Sequence, residues 1–140
     1  MTTFESQPAL LQKNQEEIFN LFSDLRNLNQ LVSGNAADKI GDKIKDLECS
    51  VDTVSFSVSP IGKVGFRVSE RTSFDRVKFV AENAPVDLNL LVNFQGHSKN
   101  ETICIIAAEA ELNPFIKAMV SKPIQEAVNK FAEAMAVIFN

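Results

Sequence analysis

The chain has 140 residues, 45% hydrophobic and 23% charged, with a formal net charge of -4. A chain of this size suits one domain that buries roughly two-thirds of its unfolded surface, and its balance is globular, not disordered or fibrous. The acidic balance argues against nucleic acid as a partner, because such binders concentrate Lys and Arg on one face. Lys39, Lys43 and Lys45 cluster, but Asp38, Asp42 and Asp46 interleave with them.

Eleven Phe occur with no Trp and no Tyr. Phe fills space without a polar partner, whereas Trp and Tyr carry a donor that must be satisfied, so the core can be apolar throughout. Cys49 and Cys104 lie in strand-like apolar runs without metal-ligand spacing and read as free thiols in a reducing compartment. Residues 1–12 hold Glu5 and no apolar run of signal-peptide length, and no segment reaches the roughly 20 apolar residues of a membrane span. The expectation is a cytoplasmic protein without stable membrane insertion, and nothing implies a metal or cofactor.

In chain order, Thr2 to Gln12 reads as an opening strand interrupted by Pro8, as fits an edge position or a bulge. Asn14 is a helix N-cap, with Glu16 and Glu17 at the positive helix end. Ile18, Phe19, Leu21, Phe22, Leu25, Leu28 and Leu31 follow at helical spacing, and Ser23-Asp24 can restart a second short helix after a bend. Ser33 to Asn35 ends this unit, and residues 36–43 form a weak helical turn or loop.

The period then drops to two. Leu47, Cys49 and Val51 alternate with polar residues, as do Val54, Phe56 and Val58, then Val64, Phe66 and Val68 after the turn at Pro60 to Gly62. Phe74-Asp75 turns the chain into Val77, Phe79 and Ala81, and Asn83 to Pro85 breaks it again. Leu88 to Phe94 and Thr102 to Leu112 flank the hairpin Gly96 to Asn100. Strands joined this closely make an antiparallel meander.

Asn113 caps the last helix, with Pro114 where a missing N–H costs nothing. Ile116, Met119, Val120, Ile124, Ala127, Val128, Phe131, Met135 and Ile138 form one apolar stripe. Pro123 removes a hydrogen bond and is expected to bend this helix over the sheet.

This order resembles the helix-grip fold of the START-like (SRPBCC) superfamily, which includes the birch-pollen allergens, lipid-transfer domains and small polyketide cyclases. The resemblance spans essentially the whole chain and is carried by "NQEEIFNLFSDLRNL" and "AELNPFIKAMVSKPIQEAVNKFA". The wording looks similar to small members from Bacteroidetes-type bacteria. It implies one α+β domain over residues 1–140, with a seven-stranded curved antiparallel sheet wrapped around the C-terminal helix and two short helices after the first strand. At Leu31 the chain departs from the family, in which an aromatic residue is common nearby.

Read through that fold, Phe66, Val68, Phe79, Leu90, Val92, Ile106 and Ala108 point toward the helix, and Met119, Val120, Ile124 and Val128 face them. Either these residues fill a core or they line a ligand pocket. The small Ala108 and Ala110 under a bent helix leave room for a pocket, and a wide empty one forfeits contacts. Glu70 continues the inward parity of Val68. It is either a polar anchor at the pocket mouth, needing a partner or a raised pKa, or a solvated residue beyond the core. Arg67 and Arg71 read as surface residues, and the lone His97 as a solvated loop residue. Leu91, Ile103 and Ile105 have outward parity. That fits a covered face such as a homodimer contact, or the scattered apolar residues that any surface carries.

The leading expectation is a noncatalytic carrier or sensor that holds a small hydrophobic molecule (a lipid, isoprenoid or aromatic metabolite) by apolar burial. A cyclase- or dehydratase-type enzyme would need an acid–base group in the pocket, for which Glu70 is the one candidate. The third possibility is an interaction module with a filled core. Fold alone does not choose among them.

Overall fold

The computed structural model describes residues 2–28, 45–58, 62–72, 74–82 and 87–139. Strands β1 (Thr2–Glu5) and β2 (Ala9–Leu11) precede helix α1 (Gln15–Leu21). Then follow β3 (Lys45–Cys49), β4 (Thr53–Val58), β5 (Gly62–Thr72), β6 (Arg76–Glu82), β7 (Leu88–Ser98), β8 (Glu101–Ala110) and helix α2 (Pro114–Ile138). The strands form one antiparallel sheet in the order β1-β8-β7-β6-β5-β4-β3, with β2 also on β8. This is the expected helix grip, with the opening strand divided in two. A helical turn at residues 26–28 follows α1. Leu31 and the expected turn at residues 36–43 lie outside the described residues.

The break around Pro8 has a definite chemistry. Glu5 pairs with Ala107 and Ala9 with Cys104, so the N-terminal side carries one residue more than β8 across the gap. Ser6 bridges it: its backbone N–H donates to the Ile106 carbonyl at 2.8 Å, and its Oγ accepts from the Ile106 N–H at 3.0 Å. Two α2 side chains one turn apart take the remaining backbone groups. The Gln125 amide donates to the Glu5 carbonyl at 2.7 Å, and Asn129 Oδ1 accepts the Gln7 N–H at 3.0 Å. The bulge therefore fixes where the helix crosses the sheet.

Both predicted caps form. Asn14 Oδ1 accepts the Glu17 N–H at 2.9 Å, and its side-chain amide donates to the Glu17 carboxylate at 2.8 Å, which steadies the cap. Asn113 Oδ1 accepts the Ile116 N–H at 2.9 Å, with Pro114 opening the helix. Helix α2 continues through Pro123 as one element and packs over β8, β1 and β2.

Helix α1 is fastened to the sheet by Gln15. Its amide nitrogen donates to the carbonyls of Phe74 (2.8 Å) and Phe94 (3.2 Å). A Cβ at Gly96 would come within 3.0 Å of the Gln15 oxygen, so a larger residue there would push the Gln15 side chain aside. Phe74 holds φ 66°, a left-handed value costly for an aromatic residue; its ring packs edge-on to Phe19 at 5.7 Å.

Candidate functional site

Between the sheet, α1 and the C-terminal half of α2 lies a cavity of about 100 Å³. From the sheet, Val54 and Phe56 of β4, Phe79 of β6, Leu90 and Val92 of β7 and Ile106 of β8 form its floor. Phe131, Ala134, Met135 and Ile138 of α2 form its roof, with Phe22, Leu28 and Leu47 at the side. Strand alternation places the floor residues on one face, and helical spacing places the roof residues on one stripe. Aromatic pairs stiffen the wall: Phe56 meets Phe131 edge-to-face at 5.1 Å and stacks on Phe66 at 6.0 Å. Phe22 packs against Phe94 at 5.6 Å. Every side chain on the wall, among the described residues, is apolar.

Of the residues expected to line a pocket, Phe79, Leu90, Val92 and Ile106 come together on this wall. Phe66, Ala108 and Val128 are buried in the surrounding core, and Val68 and Ile124 pack against it half-buried. Val120 is also half-buried, off the wall.

Two of the expected positions are corrected. Met119 is 65% exposed. It sits four residues after Phe115, which is 76% exposed, and seven before exposed Glu126, a spacing that belongs to the solvent stripe. Glu70 is also exposed, because β5 changes register between Val68 and Glu70. Val68 pairs with Phe79 and Glu70 with Lys78, so one extra residue on β5 reverses the parity beyond it.

The same bulge corrects the reading of Arg71, which turns inward in place of Glu70. Arg71 Nε donates to the Phe22 carbonyl at the end of α1 at 3.0 Å, and Nη1 bonds the Asp52 carboxylate at 3.1 Å. It ties the wall residue Phe22 to the β3–β4 turn.

The roof was missed for a related reason. The apolar stripe of α2 was legible, but centring the pocket on Pro123 put the roof at residues 119–128, about three turns too early. The side residues Phe22, Leu28 and Leu47 carry no signal of their own, since any core position reads alike.

The titratable groups offer little chemistry here. Burial pushes the Cys104 thiol up to about 12 and the half-buried Cys49 thiol to about 11. Neither is in a disulfide, and burial holds both away from the reactive thiolate form. Hydrogen bonds from Arg26 hold the partly exposed Asp24 carboxyl below its ordinary range. His97 is exposed where β7 shifts register between Gly96 and Ser98. Among the described residues no group of His, Cys, Asp or Glu is arranged to hold a metal ion.

No family model matches the chain, and no curated protein matches it by sequence. Solved structures do. Norcoclaurine synthase from Thalictrum flavum, in complex with dopamine and hydroxybenzaldehyde, has a TM-score of 0.69 at 12% identity, over 96% of this chain and 84% of that one. A START superfamily protein from Mycobacterium smegmatis has a TM-score of 0.60 at 10% identity, over 98% and 96%. A protein from Thermus thermophilus has a TM-score of 0.64 at 14% identity, over 99% and 97%. The fold is START-like. At these identities the likeness concerns the fold, a helix grip that encloses an apolar interior between its sheet and its C-terminal helix. No helix among the described residues is long and apolar enough to cross a membrane.

Proposed function

We propose that this START-like protein is a noncatalytic carrier or sensor that holds a small hydrophobic molecule in the cavity under α2, acting in the cytoplasm. The observation that carries this reading is the wall itself: apolar on every described side, with a floor from β4, β6, β7 and β8 and a roof from the C-terminal half of α2. Such a wall gives affinity through burial and offers no polar group to a reaction. The norcoclaurine synthase structure in complex with dopamine and hydroxybenzaldehyde supports the idea that this fold takes up molecules built on a single aromatic ring. The cyclase or dehydratase alternative loses its candidate acid–base group, since Glu70 lies outside the cavity. Native mass spectrometry of protein purified from its own host tests the carrier reading. A discrete hydrophobic adduct is expected, and uniform ligand-free mass under gentle ionisation would count against it.

A homodimer through the outer sheet face is a second reading, with a specific observation behind it. Leu91 is buried there and Ile103 and Ile105 are half-buried. The basic Arg76 and Lys78 stand to one side on β6, and the acidic Glu5 and Glu109 to the other on β1 and β8. A two-fold axis along the strands would set the basic side of one copy over the acidic side of the other. Sedimentation equilibrium should then show a dimer that Ile105→Lys dissociates; a monomeric wild type at high concentration rejects it.

A further inference from the structure

We infer that the cavity takes one neutral, single-ring aromatic group, an inference that rests on the carrier reading above. Volume decides first. Pockets for drug-sized ligands run from roughly 300 to 1,000 Å³, whereas this one measures about 100 Å³. An engineered apolar cavity of about 150 Å³ lined by Leu, Ile and Phe stays dry and binds benzene. At about two-thirds of that volume, this site has room for at most a single ring, and a long acyl chain exceeds it.

Charge decides next. A carboxylate or ammonium brought inside would meet no partner among the described wall residues and would have to neutralise or stay out. Phenolic and amide groups meet the same lack of donors and acceptors. The occupant is therefore unsubstituted, or carries only alkyl groups, on the part that enters.

Shape separates an aromatic ring from an aliphatic one of equal size. Phe22, Phe56, Phe79 and Phe131 all reach the wall. Phe56 and Phe131 already sit at 5.1 Å and 83°, the edge-to-face geometry that aromatic pairs favour. A flat ring lying against this pair and against Phe22 or Phe79 gains further contacts of this kind, while a puckered saturated ring gains only area. Ala134 is 2% exposed and is the small roof residue whose methyl leaves the space open.

Methyl NMR on labelled protein tests this with toluene, cyclohexane, benzoate and laurate as probes, following Leu90, Val92, Ile106 and Ile138. Toluene is expected to shift these methyl signals saturably, about tenfold or more tighter than benzoate at pH 7. Tighter binding of cyclohexane, benzoate or laurate than of toluene at the same methyls overturns the single-ring inference and leaves the carrier reading standing. No shift with any of the four probes overturns both. Ala134→Leu, which fills the space from the roof, is expected to abolish the toluene response with the methyl spectrum otherwise native. An undiminished response in that variant would put toluene elsewhere and overturn the assignment. The wild-type shift map decides on its own should the variant not fold.

Discussion

The two halves of helix α2 share one apolar stripe and have opposite fates. From Ala127 onward the helix is sunk in the core, with Ala127, Val128, Phe131, Ala132, Ala134 and Met135 all buried. Before Pro123, Ile116 and Val120 are only half-buried, and Phe115 and Met119 face outward at 76% and 65% exposure. An amphipathic helix is usually treated as one unit with one buried stripe. Here the stripe is continuous in sequence, but only its second half is buried and roofs the cavity. Cavity and stability both belong to that second half.

The largest test of this contrast is Phe131→Ala against Phe115→Ala and Met119→Ala. Phe131 is 8% exposed, roofs the cavity and meets Phe56 edge-on. Its truncation should cost about 3–5 kcal/mol, as for other buried aromatic residues. The two exposed residues should each cost at most about 0.5 kcal/mol, as is usual for surface positions. Urea denaturation of the three variants measures the difference. A loss at Met119 comparable to that at Phe131 would show that the first half is packed as firmly as the second.

Pro123 stands between the halves and gives the next effect, of opposite sign. It supplies no N–H to the Met119 carbonyl one turn earlier, and interior proline costs a helix roughly 3 kcal/mol relative to alanine. Proline also restricts the unfolded chain, which offsets about 0.4–1 kcal/mol of that. Pro123→Ala should therefore stabilise the protein by about 2 kcal/mol, seen as a raised urea midpoint with an unchanged slope. A destabilised variant would mean that the first half depends on the shape Pro123 imposes.

Much of this was legible in the sequence, and what was lost shows why. The caps at Asn14 and Asn113, the break at Pro8 and the two-residue period of each strand are local chemistry, so they can be read without the fold. The positions of Glu70 and Arg71 cannot, because a bulge adds a residue to β5 without any residue type to announce it. One extra residue moved a carboxylate out and a guanidinium in, and with them the only acid–base candidate for a reaction. Met119 differs: its seven-residue spacing from Glu126 was visible, but apolarity outweighed angle in assigning it to the stripe. The cavity floor was half legible, since parity identifies inward residues and says nothing about which of them border a void. Phe66 and Leu90 share a parity, yet only Leu90 lines it.

The smallest effect concerns how the first half is held at all. Gln125 and Asn129 sit at the junction and satisfy the Glu5 carbonyl and the Gln7 N–H where the opening strand bulges around Pro8. These bonds are partly exposed, so Gln125→Ala should cost only about 1 kcal/mol globally, the net value of an ordinary hydrogen bond. Its local effect should be larger than its global one. With few buried contacts of its own, the segment before Pro123 relies on this tether for its position over β1, and low local contact density lets a segment open separately from the rest. Hydrogen exchange should speed up in β1 and in residues 114–124, with residues 127–138 unchanged. Uniform acceleration along all of α2 would show instead that the two halves open together, and that the exposed Phe115 and Met119 belong to a helix as cooperative as its sequence pattern implies.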